Sequence, residues 1–249
     1  MRGGASLNVE NEAERKWNIE TIKTAIRSAA LYGASSILLV PCYIGGIVRK
    51  PGELFIPNPK EFKIDYDPTT CVVRSVVEGD NSPYEEYIRV QNRVTELTYQ
   101  ALQDVIPVAA YEGVTIGIEN VWNNLWVLPN LYADFVRMFD NRWVKAYLDL
   151  GNHAKYADTC DYIRAFGKSE LVKLHLKEFR VDPESENTSF EGFVPLGTGT
   201  IDWQAVRQTL EEVGYNGWVS YEEEGERNFF TPAEYSQKMD QFFAGQKID

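Results

Sequence analysis

The chain has 249 residues, a formal net charge of −12, 44% hydrophobic and 25% charged residues. That is enough chain for one full α/β core and the composition of a water-soluble globular protein, while the acidic balance argues against a nucleic-acid partner, which calls for a basic footprint. No run reaches the ~18 apolar residues of a membrane span, the N-terminus lacks an apolar signal core, and three widely spaced cysteines fit free thiols in a reducing compartment, so a cytoplasmic protein without a membrane partner is expected.

Residues 1 to 10 are polar and Gly-rich; at most, 5 to 9 are the remnant of an earlier strand. Asn11 to about Leu31 reads as an amphipathic helix with Trp17, Ile19, Ile22, Ala25 and Ile26 as its stripe and Gly33 as its stop. SSILLVPC (35–42) is a continuous apolar run, as in a strand buried on both faces. Residues 43 to 82 form a long Gly- and Pro-rich excursion in which CVVRSVV (71–77) could supply a hairpin strand; a connection of this length suits a lid or subunit contact as well as a plain surface loop. Ser82 with Pro83 then opens a long helix running to Gly113, with Pro107 as a possible kink.

Four short runs with period-two alternation follow: VTIGIEN (114–120), VKAYLDLGNH (144–153), VKLHLKEF (172–179) and GWVSYE (217–222). Helical patterns separate them, predicting parallel strands in β/α units. One face of each strand is apolar; the other carries Glu119, Asp149, His175 or Glu222 near its C-terminal end. Parallel strands in register bring these ends together, and three carboxylates with one imidazole repel one another unless a cation sits among them, which predicts a metal site. Glu224 shares strand parity with Glu222 and is the alternative ligand there; Glu223 suits a solvated edge. Thr231 and Pro232 open a last helix.

Taken together, IENVWN (118–123), YLDLGN (147–152), VKLHLKEF (172–179), GFVPLGTGTIDW (192–203) and YNGWVSYE (215–222) resemble the xylose isomerase-like TIM-barrel superfamily, nearest to its pentulose- and hexulose-phosphate 3-epimerase and isomerase branch. The resemblance implies a TIM-type (β/α) barrel in one domain, 1–249, whose first two or three β/α units are missing from this chain. It also implies that Glu119, Asp149, His175 and Glu222 bind one divalent metal, with Glu119 and Glu222 serving as acid and base. The mostly hard donor set suits Mn²⁺ first, then Mg²⁺, Co²⁺ or Zn²⁺. The expected reaction is epimerisation or isomerisation of a ketose or ketose phosphate by proton abstraction beside the carbonyl through an enediolate, with a homo-oligomer as one way to close the barrel. Asn120, Asn123, Asn152, His153 and Lys177 are candidate substrate contacts, with alternatives left open: a helix-start surface residue for His153, an internal ion pair for Lys177. GTGT (197–200) would cradle a phosphate or merely start a helix, and Trp122, Trp126 and Phe193 would stack on a sugar or pack. The rival assignments are an inactive metal- or sugar-binding barrel fragment and an endonuclease IV-like phosphodiesterase, the latter disfavoured by only two histidines and the negative charge.

Overall fold

The computed structural model describes residues 6–42, 44, 56–182, 190–223 and 229–248. Five parallel strands form one sheet in the order β1 (Ser36–Leu39), β4 (Thr115–Glu119), β5 (Val144–Asp149), β6 (Leu171–Leu176) and β7 (Trp218–Tyr221). Helices alternate with them: α1 (Glu12–Leu31), α2 (Glu85–Glu112), α3 (Pro129–Arg137), α4 (Thr159–Glu170), α5 (Trp203–Glu212) and α6 (Pro232–Phe243). The sheet curls into a half-barrel with its helices outside, an incomplete TIM-type barrel. No helix of the described residues is long and apolar enough to cross a membrane.

Each local choice has a chemical reason. Asn11 caps α1 by accepting from the Glu14 N–H. Thr231 and Glu234 close a capping box on α6 with Pro232 in its first turn. Gly113 ends α2 in the left-handed conformation, φ 71°. Pro107 lies inside α2 without ending it, and the expected Ser82 cap is instead the first residue of a 3₁₀ turn, Ser82–Tyr84, with Asn81 before it. Within α4, Gly167 adopts φ 62°, so the regular helix stops near Phe166.

The core lies between the sheet and α2 to α4. Ile116, Ile118, Ala146, Leu148 and Leu174 are buried against it. Trp126 stacks on Phe135 at 3.6 Å between ring centroids and donates its indole N–H to Thr95 Oγ1 at 3.0 Å; it is a core residue, not a rim residue. Tyr132, fully buried, donates to Ile118 O at 2.7 Å and ties α3 to β4.

Three sequence expectations change here. Trp17 is 68% exposed and Ala25 is also exposed; the buried stripe of α1 is Asn18, Ile19, Ile22 and Ile26, and Asn18 earns its place by donating to Ser6 O. β1 is not buried on both faces, since Leu38 is 41% exposed; among the described residues it is an edge strand paired with β4 alone. In β6 the register shifts between Ala146, opposite Leu171, and Tyr147, opposite Lys173, leaving Val172 as an extra residue. Leu171 takes the core position, and Val172 Cγ1 sits against Gly117, where a Cβ would meet it at 2.8 Å.

Residues 6–9 form no strand; Leu7 donates a single backbone bond to Pro41 O. Of the excursion, 43 and 45–55 lie outside the described residues. The remainder contains a small antiparallel hairpin, β2 (Asp65–Tyr66) with β3 (Val73–Ser75), so the 71–77 run does supply a strand. It is pinned to the helices: Asn92 of α2 bonds both the N–H and C=O of Val73, and Tyr66 donates to Asp134 of α3 at 2.8 Å.

Because Phe135 is fully buried and stacked on Trp126, Phe135→Ala is expected to cost about 3–5 kcal/mol, read as a lower urea midpoint at unchanged slope.

Candidate metal centre

The parallel register sets the site. Asp149 lies opposite His175 across β5 and β6, His175 lies opposite Ser220 on β7, and Glu119 ends β4 opposite Tyr147. Glu222 follows β7 and is held in line by its N–H bond to Leu176 O at 3.0 Å. One potential ligand atom from each of Glu119, Asp149, His175 and Glu222 falls within 4.8 Å of the others. His175 Nδ1 is the hub: 3.2 Å from Glu119 Oε1, 3.0 Å from Glu222 Oε2 and 4.0 Å from Asp149 Oδ2. Lys177 Nζ completes the cluster, 3.1 Å from Glu222 Oε2 and 3.4 Å from Asp149 Oδ2. Glu224, the alternative ligand, lies outside the described residues; Glu223 accepts from the Phe229 N–H at 3.0 Å.

The electrostatics follow from burial and crowding. Burial raises the Asp149 carboxyl, Lys177 opposes the rise, and the neighbouring Glu222 and Glu119 add to it. For Glu222 burial also pushes upward, but contact with His175 and Lys177 outweighs it and lowers the carboxyl below its ordinary range. Burial would lower His175, yet its bonds to Glu119 and Glu222 prevail and push it up to about 9. Asp149 Oδ2 is buried and accepts no hydrogen bond. That oxygen has only ion-pair contacts, to Lys177 at 3.4 Å and His175 at 4.0 Å, with two more carboxylates beside it, and a hard divalent cation would satisfy it. The residues present therefore fit such an ion.

The five other candidates share this end of the sheet but are engaged differently. Asn120 is a cross-strand clasp: its amide donates to Asp149 O at 3.0 Å and accepts from the Asp149 N–H at 2.8 Å. Asp149 Oδ1 in turn accepts from the N–H groups of Gly151 and Asn152, both at 2.8 Å. Asn152 donates to Asn120 O at 2.9 Å and accepts from Lys177 Nζ at 3.3 Å, so it touches the cluster through Lys177. Asn123 joins the loop after β4 to the end of β1, donating to Cys42 O at 3.1 Å and accepting from Leu125 N–H at 3.0 Å. His153 is buried, not a surface residue at a helix start; its Nε2 faces Val121 O at 3.3 Å and its ring lies among Tyr132, Tyr156 and Tyr162. Burial holds it down at about 3, so it is neutral.

One buried group escaped the sequence reading. Glu178 sends its carboxylate into the 197–203 loop, where it accepts from Gly197 N–H at 3.0 Å, Ile201 N–H at 3.4 Å and Trp203 Nε1–H at 2.6 Å. A Cβ on Gly199 would strike Glu178 Oε1. The Gly-rich loop that could have cradled a phosphate thus wraps an internal carboxylate. The available signal was the unassigned acid of VKLHLKEF beside a glycine-rich loop that needed an anion.

Comparison with known proteins places this geometry. The model of a family described as xylose isomerase-like TIM barrel matches residues 2–244. L-ribulose-5-phosphate 3-epimerase UlaE of Escherichia coli O1:K1 / APEC is 24% identical over 135 residues, 54% of this chain and 45% of that protein. The chain spans about half the length of the curated relatives it matches. The crystal structure of a D-tagatose 3-epimerase-like protein superposes with a TM-score of 0.66 at 16% identity, covering 96% of this chain and 73% of that one. The IOLI protein, solved with a bound zinc atom, gives 0.61 at 16% identity, covering 97% and 70%. At these identities the structural likeness is one of fold.

Two outcomes test the rim. Since His153 is held far below its ordinary 6.5, the unfolded chain takes up a proton that the folded chain refuses; stability is full above about pH 6.5 and falls as the pH drops toward the folded value. Between pH 7 and 5 the wild type should lose about 2 kcal/mol more than His153→Gln, measured by urea unfolding at each pH. Glu178→Gln sets an amide N–H₂ against N–H donors and should cost about 1–3 kcal/mol, with amide exchange accelerating at Gly197 and Ile201.

Proposed function

The chain belongs to the xylose isomerase-like TIM barrel family, and on that premise we propose that it is a divalent-metal-dependent epimerase or isomerase of a ketose or ketose phosphate. The observation that carries the proposal is the convergence of Glu119, Asp149, His175 and Glu222, from four separate strand ends, to within 4.8 Å. The relatives named as sugar epimerases support the substrate class.

These four side chains would hold the ion through carboxylate oxygens and His175 Nδ1; the mostly hard set suits Mn²⁺, Mg²⁺ or Co²⁺ and accommodates Zn²⁺. When bound, the ion supplies Lewis acidity to a ketose carbonyl and its neighbouring hydroxyl, making the intervening C–H more acidic. The chain does the rest. Glu119 ends β4 and Glu222 follows β7, strands on either side of the His175 strand β6, so one carboxylate can take a proton from one face of a sugar carbon while the other returns one to the opposite face. Return to the same carbon is epimerisation; return to the neighbouring carbon is isomerisation. Lys177, on Asp149 and Glu222, favours the charged form of both carboxylates, against the burial that raises Asp149, and offers an ammonium to a sugar oxygen. Asn152 orients Lys177, while Asn120, Asn123 and His153 hold the rim to which these groups are fixed.

Incubation of the metal-loaded protein with ketoses and ketose phosphates in D₂O, followed by NMR, tests the proposal. Deuterium is expected beside the carbonyl only with metal present, falling by about 10²-fold or more in Glu222→Gln; the labelled carbon separates epimerase from isomerase. Absence of exchange despite one bound ion per chain would overturn catalysis and leave a metal-binding protein.

A further inference from the structure

Lys155 is a rim cation that the metal centre does not use, and its surroundings are unusual for a lysine. It lies in the β5–α4 loop, at the same C-terminal end of the sheet as the carboxylates. Its ammonium sits 3.6 Å above the Trp122 ring and 5.0 Å from the Tyr156 ring. It makes no ion pair with a carboxylate among the described residues. Burial pushes it down to about 8, and its ammonium lies against two aromatic faces.

Trp122 links this lysine to the centre. It comes from the β4–α3 loop and donates its indole N–H to Asn152 O. It packs at 4.9 Å on Phe193 from the β6–α5 loop, and Lys177 Nζ stands 5.1 Å from the Phe193 ring. An aromatic wall thus runs along the rim with one ammonium at each end. Lys177 is committed to Asp149 and Glu222; Lys155 has no anionic partner among the described residues.

An anionic sugar meets an adverse field here: a chain of net charge −12 and three carboxylates at the centre itself. A metal ion balances only the reacting end. The far end needs its own cation, partly desolvated so that the attraction is not screened, and free of an internal partner. Among the described residues Lys155 meets these conditions. We propose that Lys155, mounted on Trp122, receives the anionic group of a phosphorylated sugar, so that the substrate of this site is a sugar phosphate and not a free sugar. This rests on the sugar-isomerising assignment above and adds to it the substrate's charge and the residue that reads it.

The test is binding, which needs no turnover. The Mn²⁺-loaded chain is titrated calorimetrically with a pentulose 5-phosphate, the corresponding free pentulose and inorganic phosphate, for wild type, Lys155→Met and Lys155→Arg. Lys155→Met keeps the stem over Trp122 and removes the charge; Lys155→Arg keeps a cation. The wild type should bind the phosphorylated sugar at least about tenfold more tightly than the free sugar, a margin typical of one well-placed charge-assisted contact. Lys155→Met should abolish that margin and weaken inorganic phosphate, Lys155→Arg should retain part of it, and Mn²⁺ affinity should be the same in all three. Equal preference in wild type and Lys155→Met would overturn the inference and leave Lys155 as a cover for Trp122. If the preference holds and depends on Lys155 while no deuterium exchange occurs, the anion site stands and the catalytic assignment fails; exchange with a Lys155-independent preference gives the reverse.

Discussion

Crowding of like charge at the C-terminal rim of the sheet governs the rest of this structure. Three carboxylates are brought within a few ångströms by strand register, two of them deeply buried. Left alone they would repel and protonate. Instead His175 and Lys177 are driven in among them, and the competition is visible in opposite responses: Asp149, the most deeply buried, is raised, and Glu222, closest to both cations, is lowered. Such a cluster needs positive charge at its centre, which His175 and Lys177 supply here and which a bound divalent cation would add to.

Holding that cluster needs a rigid rim, and the chain builds one from side-chain-to-backbone bonds. Asn120 copies a strand's donor and acceptor to continue β4–β5 pairing one residue beyond the ladder. Asp149 spends one oxygen on two loop N–H groups, which leaves the other free to face the centre. Glu178 does for the 197–203 loop what Asp149 does for the 150–152 turn. Gly151 belongs to the same design, since a Cβ there would strike Lys177 O; close backbone approach is what seats Lys177 beside Asp149.

The ladder strands and three of the ligand candidates were legible in the sequence because strand period and parallel topology are enough to put Glu119, Asp149 and His175 at one end; at the fourth, parity left Glu224 open and the family resemblance favoured Glu222. Contacts that depend on tertiary placement were not. The Val172 bulge defies a strict two-residue period. Trp17 looks like a core residue by hydropathy and lies on the open side of α1, while Asn18 looks exposed and is buried because Ser6 O satisfies it. The apolarity of 35–42 suggested burial on both faces, but one face of β1 leaves Leu38 41% exposed. His153 resembles a loop residue until Tyr132, Tyr156 and Tyr162 enclose it.

The central claim is that Glu119, Asp149, His175 and Glu222 together hold one divalent ion. Titration of Mn²⁺ into the chelator-stripped protein, with free ion followed by electron paramagnetic resonance, tests it most directly when wild type is compared with Asp149→Asn and far-ultraviolet circular dichroism confirms that both are folded. One tight site per chain, lost or weakened by about 10²-fold or more in Asp149→Asn, is the predicted result. Binding that is absent from the wild type, or unchanged in the folded variant, would contradict it.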